Sequence, residues 1–306
     1  MSGRAEQDQI IEMWISEKLK TQPEILTDYM LSAKKKTSPT RKAYLRYLIQ
    51  FLEFMEEQNI KLTELKPMHI DRYIDFISKD NGPAIVNTKL AAVGDFCSFL
   101  KKNEFVRTNP YSSDVKLKQD KKETVVYMTE EELNEVKKNA VSSKVKYANR
   151  DLAIITLGCA TGLRVSAIRN IDIEDIDFEN KSISVVEKGN KKRDVYIGDN
   201  TVQILKTWIE DRANIYGNHT GPLFMSQKRN RIAVRTIEDM IHNATKGVGK
   251  HITPHKMRST CAMRLYEKTG DIYLVAQQLG HSNIANTMIY AKATEEKRRE
   301  AAELLD

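Results

Sequence analysis

The chain has 306 residues, 41% hydrophobic and 30% charged, with 49 basic against 42 acidic residues and a formal charge of +7. That length suits two domains of ordinary size better than one core. Thirteen glycines and seven prolines exclude collagen-like and Pro-rich disordered classes, and the most apolar run, Leu152 to Leu163, is too short and broken to span a bilayer. The first half reads as helices. A short one is expected from Ile10 to Leu19. Ser38 and Thr40 then bracket a proline, a helix start, and Tyr44, Tyr47, Leu48, Phe51, Leu52 and Met55 follow at three- and four-residue steps. Arg41, Lys42 and Arg46 sit off that stripe. Pro67 opens a second helix through Ile70, Tyr73, Ile74 and Ile77 that stops near Asn81-Gly82-Pro83. A third is expected from about Ala84 to Leu100, with Leu90, Val93, Phe96, Cys97 and Leu100 inward and Lys89 off the apolar side.

Asn109-Pro110 ends this unit, and the polar, nonperiodic Lys116–Lys122 stretch reads as a linker. Thr129 with Glu132 three residues on is a capping box that opens a helix. Leu152 to Ala160 reads as a core helix ending at Thr161-Gly162. Ile183–Val186 and Asp194–Ile197 read as two short strands joined by a basic tip, Glu187 to Arg193. Helices are expected again from Thr201 to the C-terminus. The expected organisation is a helical domain over 1–115, a linker over 116–126 and a second domain over 127–306 with a C-terminal tail. The expected class is mainly α with a small antiparallel β element.

Residues 1–126 hold 21 basic and 18 acidic side chains, leaving 28 and 24 for the rest, so the positive excess is spread over both halves. An anionic partner would then meet both. Cys97, Cys159 and Cys261 are far apart and form no CxxC pair, which argues against a zinc site and a disulfide framework. With no apolar signal core at the N-terminus, a reducing cytoplasm is the expected compartment.

Four islands carry chemistry. In Ala160-Thr161-Gly162-Leu163-Arg164, an arginine after a Gly-marked break can aim its fork at an anion. Lys188 stands on the basic hairpin tip. In Thr253-Pro254-His255-Lys256-Met257-Arg258, a cap and first-turn proline precede His255 and Arg258, which are three apart on one helical face. In Leu279-Gly280-His281-Ser282-Asn283, followed by Thr287-Met288-Ile289-Tyr290, Gly280 and the Ser282-Asn283 pair suggest a stop and a new cap, so that His281 and Tyr290 reach one pocket from two helices. Taken singly, each island also reads as solvated charge or as a packed tyrosine.

Their order, Arg, Lys, His-x-x-Arg, Gly-His, Tyr, resembles the tyrosine recombinase (phage integrase) family over about residues 127–306, and the helical first half is similar to that family's SAM-like core-binding domain. The resemblance implies a two-domain DNA clamp in which Tyr290 is the nucleophile and Arg164 and Arg258 are the paired phosphate clamps. His255 and His281 match the two auxiliary positions, and Lys188 the hairpin lysine. It implies a site-specific DNA recombinase that cleaves and rejoins DNA through a 3′-phosphotyrosine intermediate, with no cofactor and no metal. A compact Xer-like or mobile-element member fits best, because little chain precedes the helical domain. Two departures stand out: Ala167 occupies a position that is often acidic in the family, and Met257 one that is usually Leu. A catalytically impaired regulator and a type IB topoisomerase-like nicking enzyme remain as alternatives.

The chemistry suits the residues. Cleaving a phosphodiester builds charge on the nonbridging oxygens, which two planar, permanently protonated guanidiniums match. A tyrosine oxygen with a free pKa of about 10 needs a positive pocket or a base to attack. The leaving 5′-oxygen needs a proton, which a lysine near two arginines could supply. The expected partners are double-stranded recombination sites, held by a homotetramer on two sites with the tail after Lys292 docked on a neighbour. Phosphate contacts are expected from Arg41, Lys42 and Lys89 in the first domain and Arg235 in the second.

Overall fold

The structure, a computed structural model, describes residues 23–32, 38–118, 125–143, 145–187, 191–217, 219–281, 283–292 and 302. The expected helix at Ile10–Leu19, residues 119–124 of the expected linker, Lys188, and the tail beyond Lys292 apart from residue 302 lie outside these. The chain divides into two compact units, 1–121 and 122–306.

The first unit is built from α1 (Pro23–Ser32), α2 (Ser38–Glu57), α3 (Pro67–Ser78) and α4 (Pro83–Lys102). Prolines at the first positions of α3 and α4 suit a turn where the backbone N–H has no helical partner. Its core joins Leu48, Phe51, Leu52 and Met55 of α2 to Leu90, Val93, Phe96 and Leu100 of α4. Tyr29 of α1 meets Phe96 edge-on, ring centroids 5.2 Å apart, and donates its hydroxyl to Asp95 at 2.5 Å. Lys89 departs from the expectation, for it is only 8% exposed. Its number explains why. Three residues after Val86, four before Val93 and seven before Phe96, it shares their helical face, and its methylene stem is covered with them.

The second unit is arranged around α6 (Ala148–Thr161), whose buried Ala153, Ile154, Ile155, Leu157 and Gly158 leave it apolar nearly all round. It packs against α5 (Glu130–Ser143), α8 (Asp199–Tyr216) and α10 (Pro254–Thr269). The capping box forms as expected: the Thr129 amide donates to Glu132 at 2.8 Å, and the Glu132 amide to the Thr129 hydroxyl at 3.3 Å. Gly158 lets α6 and α10 approach closely, since a Cβ there would lie 2.0 Å from the Met257 Cε. After α7 (Val165–Asn170) come three antiparallel strands in order, β1 (Ile176–Asp177), β2 (Ser182–Glu187) and β3 (Lys191–Tyr196). Ile183 pairs with Val195, both buried.

The β element differs from the expectation in two ways. Strand β1 is additional, and at two residues it is too short to show an alternating pattern. Lys191, Lys192 and Arg193 belong to β3 and not to a tip, because the register runs on to Glu187 opposite Lys191. Nor is the stretch after Thr201 uniformly helical. Between α8 and α9 (Val234–Ala244) the chain makes isolated bridges, Asp172 with Pro222 and Met225 with Arg231. The fully buried Arg212 holds this loop, donating to the carbonyls of Pro222 at 2.9 Å and Thr220 at 2.7 Å, and the Trp208 indole donates to the Leu223 carbonyl at 2.9 Å. Helices α11 (Ile272–Leu279) and α12 (Met288–Lys292), separated by a 3-10 turn at Ile284–Asn286, complete the described part.

Candidate active site

Three chain breaks converge beside α10. Helix α6 stops at Gly162, which is left-handed at φ 64°, and Arg164 follows as the exposed residue that precedes α7. Helix α11 stops at Gly280, also left-handed at φ 65°, and the His281 amide turns back to the Ala276 carbonyl at 2.9 Å. These are ordinary C-terminal stops, in which glycine takes a conformation costly to other residues. Asn283 then caps the 3-10 turn by accepting from the Ala285 amide at 2.9 Å, as expected of the Ser282-Asn283 pair.

Arg258 joins the first two breaks. It is 3% exposed, and its guanidinium donates to the Gly162 carbonyl at 2.5 Å and to the Leu279 carbonyl at 2.6 Å. These carbonyls lie at the ends of α6 and α11, where helical geometry supplies no amide partner and the negative pole of the helix favours a cation. His255, one turn earlier on α10, is exposed. Loss of solvation, then Arg258, Lys256 and Arg164 in that order, hold its imidazole below the usual histidine range. The two arginines and the histidine therefore share one electropositive region. Thr253 and Pro254 start α10 as expected, but the Thr253 side chain makes no capping hydrogen bond.

His281 reaches the segment that bears Tyr290 through Thr287, a residue to which the sequence alone assigns no role. The His281 Nδ1 lies 2.9 Å from the Thr287 hydroxyl, and the Thr287 carbonyl accepts the Tyr290 amide at 3.0 Å. Thr287 is fully buried. The bond crosses a turn between two helices, so no single periodicity displays it. The Tyr290 ring, 5% exposed, packs with Ala262, Met263, Val275 and Leu279. Arg193 also does more than its place beside the basic tip suggests. It donates from β3 to the Gln278 carbonyl at 3.2 Å, which ties the root of the hairpin to the end of α11. Lys188 itself lies outside the described residues.

Ala167 is buried in the main core of this unit, and its amide donates to the Arg164 carbonyl at 2.9 Å. Of the expected DNA contacts, Lys42 is exposed, while Arg41 is half-buried and donates its Nε to the Met30 carbonyl at 3.0 Å. The Arg235 side chain, 81% exposed, pairs with Asp239 one turn on at 3.0 Å. Lys89 is the buried residue described above. No helix among the described residues is long and apolar enough to cross a membrane.

Comparison with known proteins agrees with this geometry. Residues 126–297 match the Phage integrase family, and residues 26–104 match the phage integrase N-terminal SAM-like domain. Tyrosine recombinase XerC of Caldanaerobacter subterraneus subsp. tengcongensis is 28% identical over 95% of this chain and 88% of its own length. XerC of Corynebacterium glutamicum is 30% identical over 74% and 73%. Among solved structures, the XerA recombinase is 30% identical with a TM-score of 0.53, covering 92% of this chain and 97% of its own. The XerH site-specific recombinase bound to a palindromic difH substrate has the same fold at 17% identity, with a TM-score of 0.75 over 97% of this chain and 94% of its own. With the family match spanning more than half of its length and the arginines, histidines and tyrosine gathered around α10, this chain belongs to the phage integrase family and is a tyrosine recombinase.

Proposed function

We propose that this recombinase cuts and rejoins DNA at a specific site through a covalent 3′-phosphotyrosine on Tyr290. Arg258 and Arg164 hold the scissile phosphate and neutralise the charge that grows on its nonbridging oxygens. Of the two, Arg258 is the fixed one and Arg164, at an exposed helix start, the adaptable one. The Tyr290 oxygen attacks phosphorus and its proton passes to a base, for which a neutral His255 is suited. The 5′-oxygen leaves with a proton from Lys188, and His281 donates from Nε2 to the phosphate while Nδ1 stays on Thr287. Attack by a 5′-hydroxyl on the phosphotyrosine reverses the step, so the bond energy is conserved and no nucleotide cofactor is required. Tyr290 is packed away from solvent, so attack also needs α12 to shift. Five residues of helix hold it there, a short element with little intrinsic stability.

The observation that carries this reading is the pair of bonds from Arg258 to Gly162 and Leu279, because they draw the chain segments bearing Arg164 and His281 onto the helix of His255. On the DNA, we infer that residues 1–115 and 127–306, tethered by 116–126, hold opposite faces of the duplex. Four protomers would join two sites, with the tail beyond Lys292 docked on a neighbour, in a cytoplasmic setting. Lys42 and Arg235 would meet phosphates.

The test is covalent trapping. Wild type and Tyr290→Phe are incubated with nicked duplexes tiled from the DNA flanking the gene and resolved on denaturing gels. The expected result is an adduct with wild type only. A specifically bound duplex that yields no adduct would favour a regulator without catalysis. Monomeric relaxation of supercoils at random sites would favour a topoisomerase.

A further inference from the structure

Helix α11 ends on carbonyls that helical geometry leaves without an amide partner. The turn at Gly280 takes two of them: the His281 amide donates to the Ala276 carbonyl at 2.9 Å, and the Gly280 amide to that of Gln277 at 3.0 Å. The next two go to arginines. Arg258 donates to the Leu279 carbonyl at 2.6 Å, and Arg193 to that of Gln278 at 3.2 Å. Arg193 comes from β3, where it stands opposite Val185, and strand alternation puts it on the same face as the buried Val195. Lys192 and Asp194, on either side of it, are exposed. A guanidinium on the core face of a small sheet is costly without a fixed partner, and the negative end of α11 supplies one. Its charge also reaches α10, for burial pushes the Cys261 thiol up to about 12 while Arg258, Arg264 and Arg193 act against that rise. The Gln278 side chain extends the link, since its amide donates to the carbonyls of Ala160 and Thr161 at the end of α6, both at 3.4 Å.

Arg258 thus holds the His281 turn to α10, and Arg193 holds β3 to the same turn. Lys188 is the residue that directly follows β2, the strand paired with β3. A proton donor must meet the leaving oxygen at hydrogen-bond distance, and a displacement of about 1 Å can cost about 100-fold in rate. We propose that Arg193 is a positioning residue for cleavage: through its bond to the Gln278 carbonyl it sets the hairpin that carries Lys188 against the turn that carries His281. This rests on the reading of Lys188 as donor of the leaving group's proton. In that step the Tyr290 oxygen bonds to phosphorus, the bond from phosphorus to the 5′-oxygen breaks, and the Lys188 ammonium gives its proton to the departing oxygen. Arg193 forms none of these bonds. It governs where the proton comes from, so a leaving group that needs no proton should be indifferent to it.

The test is single-turnover cleavage of a nicked duplex that wild type traps covalently, made with oxygen or with sulfur at the bridging 5′ position of the scissile phosphate. Sulfur leaves as a thiolate and needs no proton. Arg193→Gln should cut the oxygen duplex about 100-fold more slowly, with Kd unchanged within about twofold, and the sulfur duplex within about threefold of wild type. Lys188→Ala should show the same pattern. Arg193→Lys should lose less, because one ammonium can still reach one carbonyl. Thr287→Val, which acts through His281, should stay slow on both duplexes. Equal slowing of Arg193→Gln on both duplexes would overturn the proposal, as would a wild-type rate on oxygen or a sulfur rescue of Thr287→Val as well. The double variant, Arg193→Gln with Lys188→Ala, should be no slower than Lys188→Ala alone, and additive losses would also overturn it. That comparison separates the two readings. If sulfur fails to rescue Lys188→Ala, the lysine is not the proton donor, and the double variant still decides whether Arg193 works through it. Amide hydrogen exchange needs no DNA. Arg193→Gln should speed exchange at least about fivefold in the half of β2 and β3 that includes Glu187 and Lys191, and leave the paired Ile183 and Val195 unchanged. Unchanged exchange throughout, or an equal effect of Lys192→Gln on the opposite face, would overturn the brace. If Arg193→Gln fails to fold, Arg193→Lys carries both measurements.

Discussion

The Arg258 guanidinium lies 2.5 Å from the carbonyl of Gly162, a residue 96 positions away, and its second nitrogen lies 2.6 Å from that of Leu279. One buried side chain thus satisfies the ends of two helices and positions the residues that follow each. Arg258→Met would leave both carbonyls buried without a donor. The expected loss is about 2–4 kcal/mol in urea unfolding, with no covalent adduct. Arg258→Lys should recover part of the stability but not the adduct, since one ammonium cannot reproduce the planar fork. Wild-type stability in Arg258→Met would show that the two bonds do not hold the site.

Gly162 is constrained twice. Its backbone is left-handed, and a Cβ would lie 2.6 Å from the Leu279 Cδ2. Gly162→Ala should cost about 1–3 kcal/mol. Gly198 precedes α8 at an ordinary φ of −83°, and a methyl group placed on it would meet nothing within 4 Å. It is the control, and Gly198→Ala should stay within about 0.5 kcal/mol. Equal effects at the two sites would refute the steric argument.

Thr287 is expected to act through His281. Thr287→Val removes the hydroxyl on Nδ1 and with it one constraint on the orientation and tautomer of the ring. Cleavage of bound DNA should slow by about tenfold, equivalent to ~1.4 kcal/mol, with little change in Kd, and Thr287→Ser should restore it. A parallel rise in Kd would point to general disruption of the turn. Loss of activity in the Ser variant would have the same meaning.

His255 should titrate below about 6.5 in the free protein when followed by NMR. Because Arg164 contributes to that depression, Arg164→Ala should move the pKa upward, and an unmoved value would separate the two residues. The depression also sets a direction for stability. On acidification the unfolded chain takes the proton first, so this contribution is complete above about 6.5 and is lost as pH falls through the lower folded value.

Arg41 and Lys42 are adjacent and should behave differently. Arg41→Ala removes a bond to the Met30 carbonyl and should lower the melting temperature of the helical unit. Lys42→Ala should leave melting unchanged and lower the salt slope of DNA binding by about 0.9. A matching pair of effects would mean that the Arg41 bond adds nothing to the fold.

The sequence alone determined the features that depend on neighbours a few residues apart. The helix beginnings at Pro67 and Thr129, the stops at Gly162 and Gly280 and the pairing of His255 with Arg258 all follow from local backbone chemistry. The ordered set of Arg, His, Arg, His and Tyr was enough to indicate the family. Tertiary structure decided what those residues touch. Arg258 meets Gly162 and Leu279, and Thr287 meets His281, across turns where no periodicity runs. Lys89 is the reverse case, since its helical phase was legible in Val86, Val93 and Phe96 but its charge argued for solvent. Packing against α2 settled that conflict, because burying four methylenes and their neighbours on α4 outweighs the partial loss of solvent around one ammonium at the edge of a cleft.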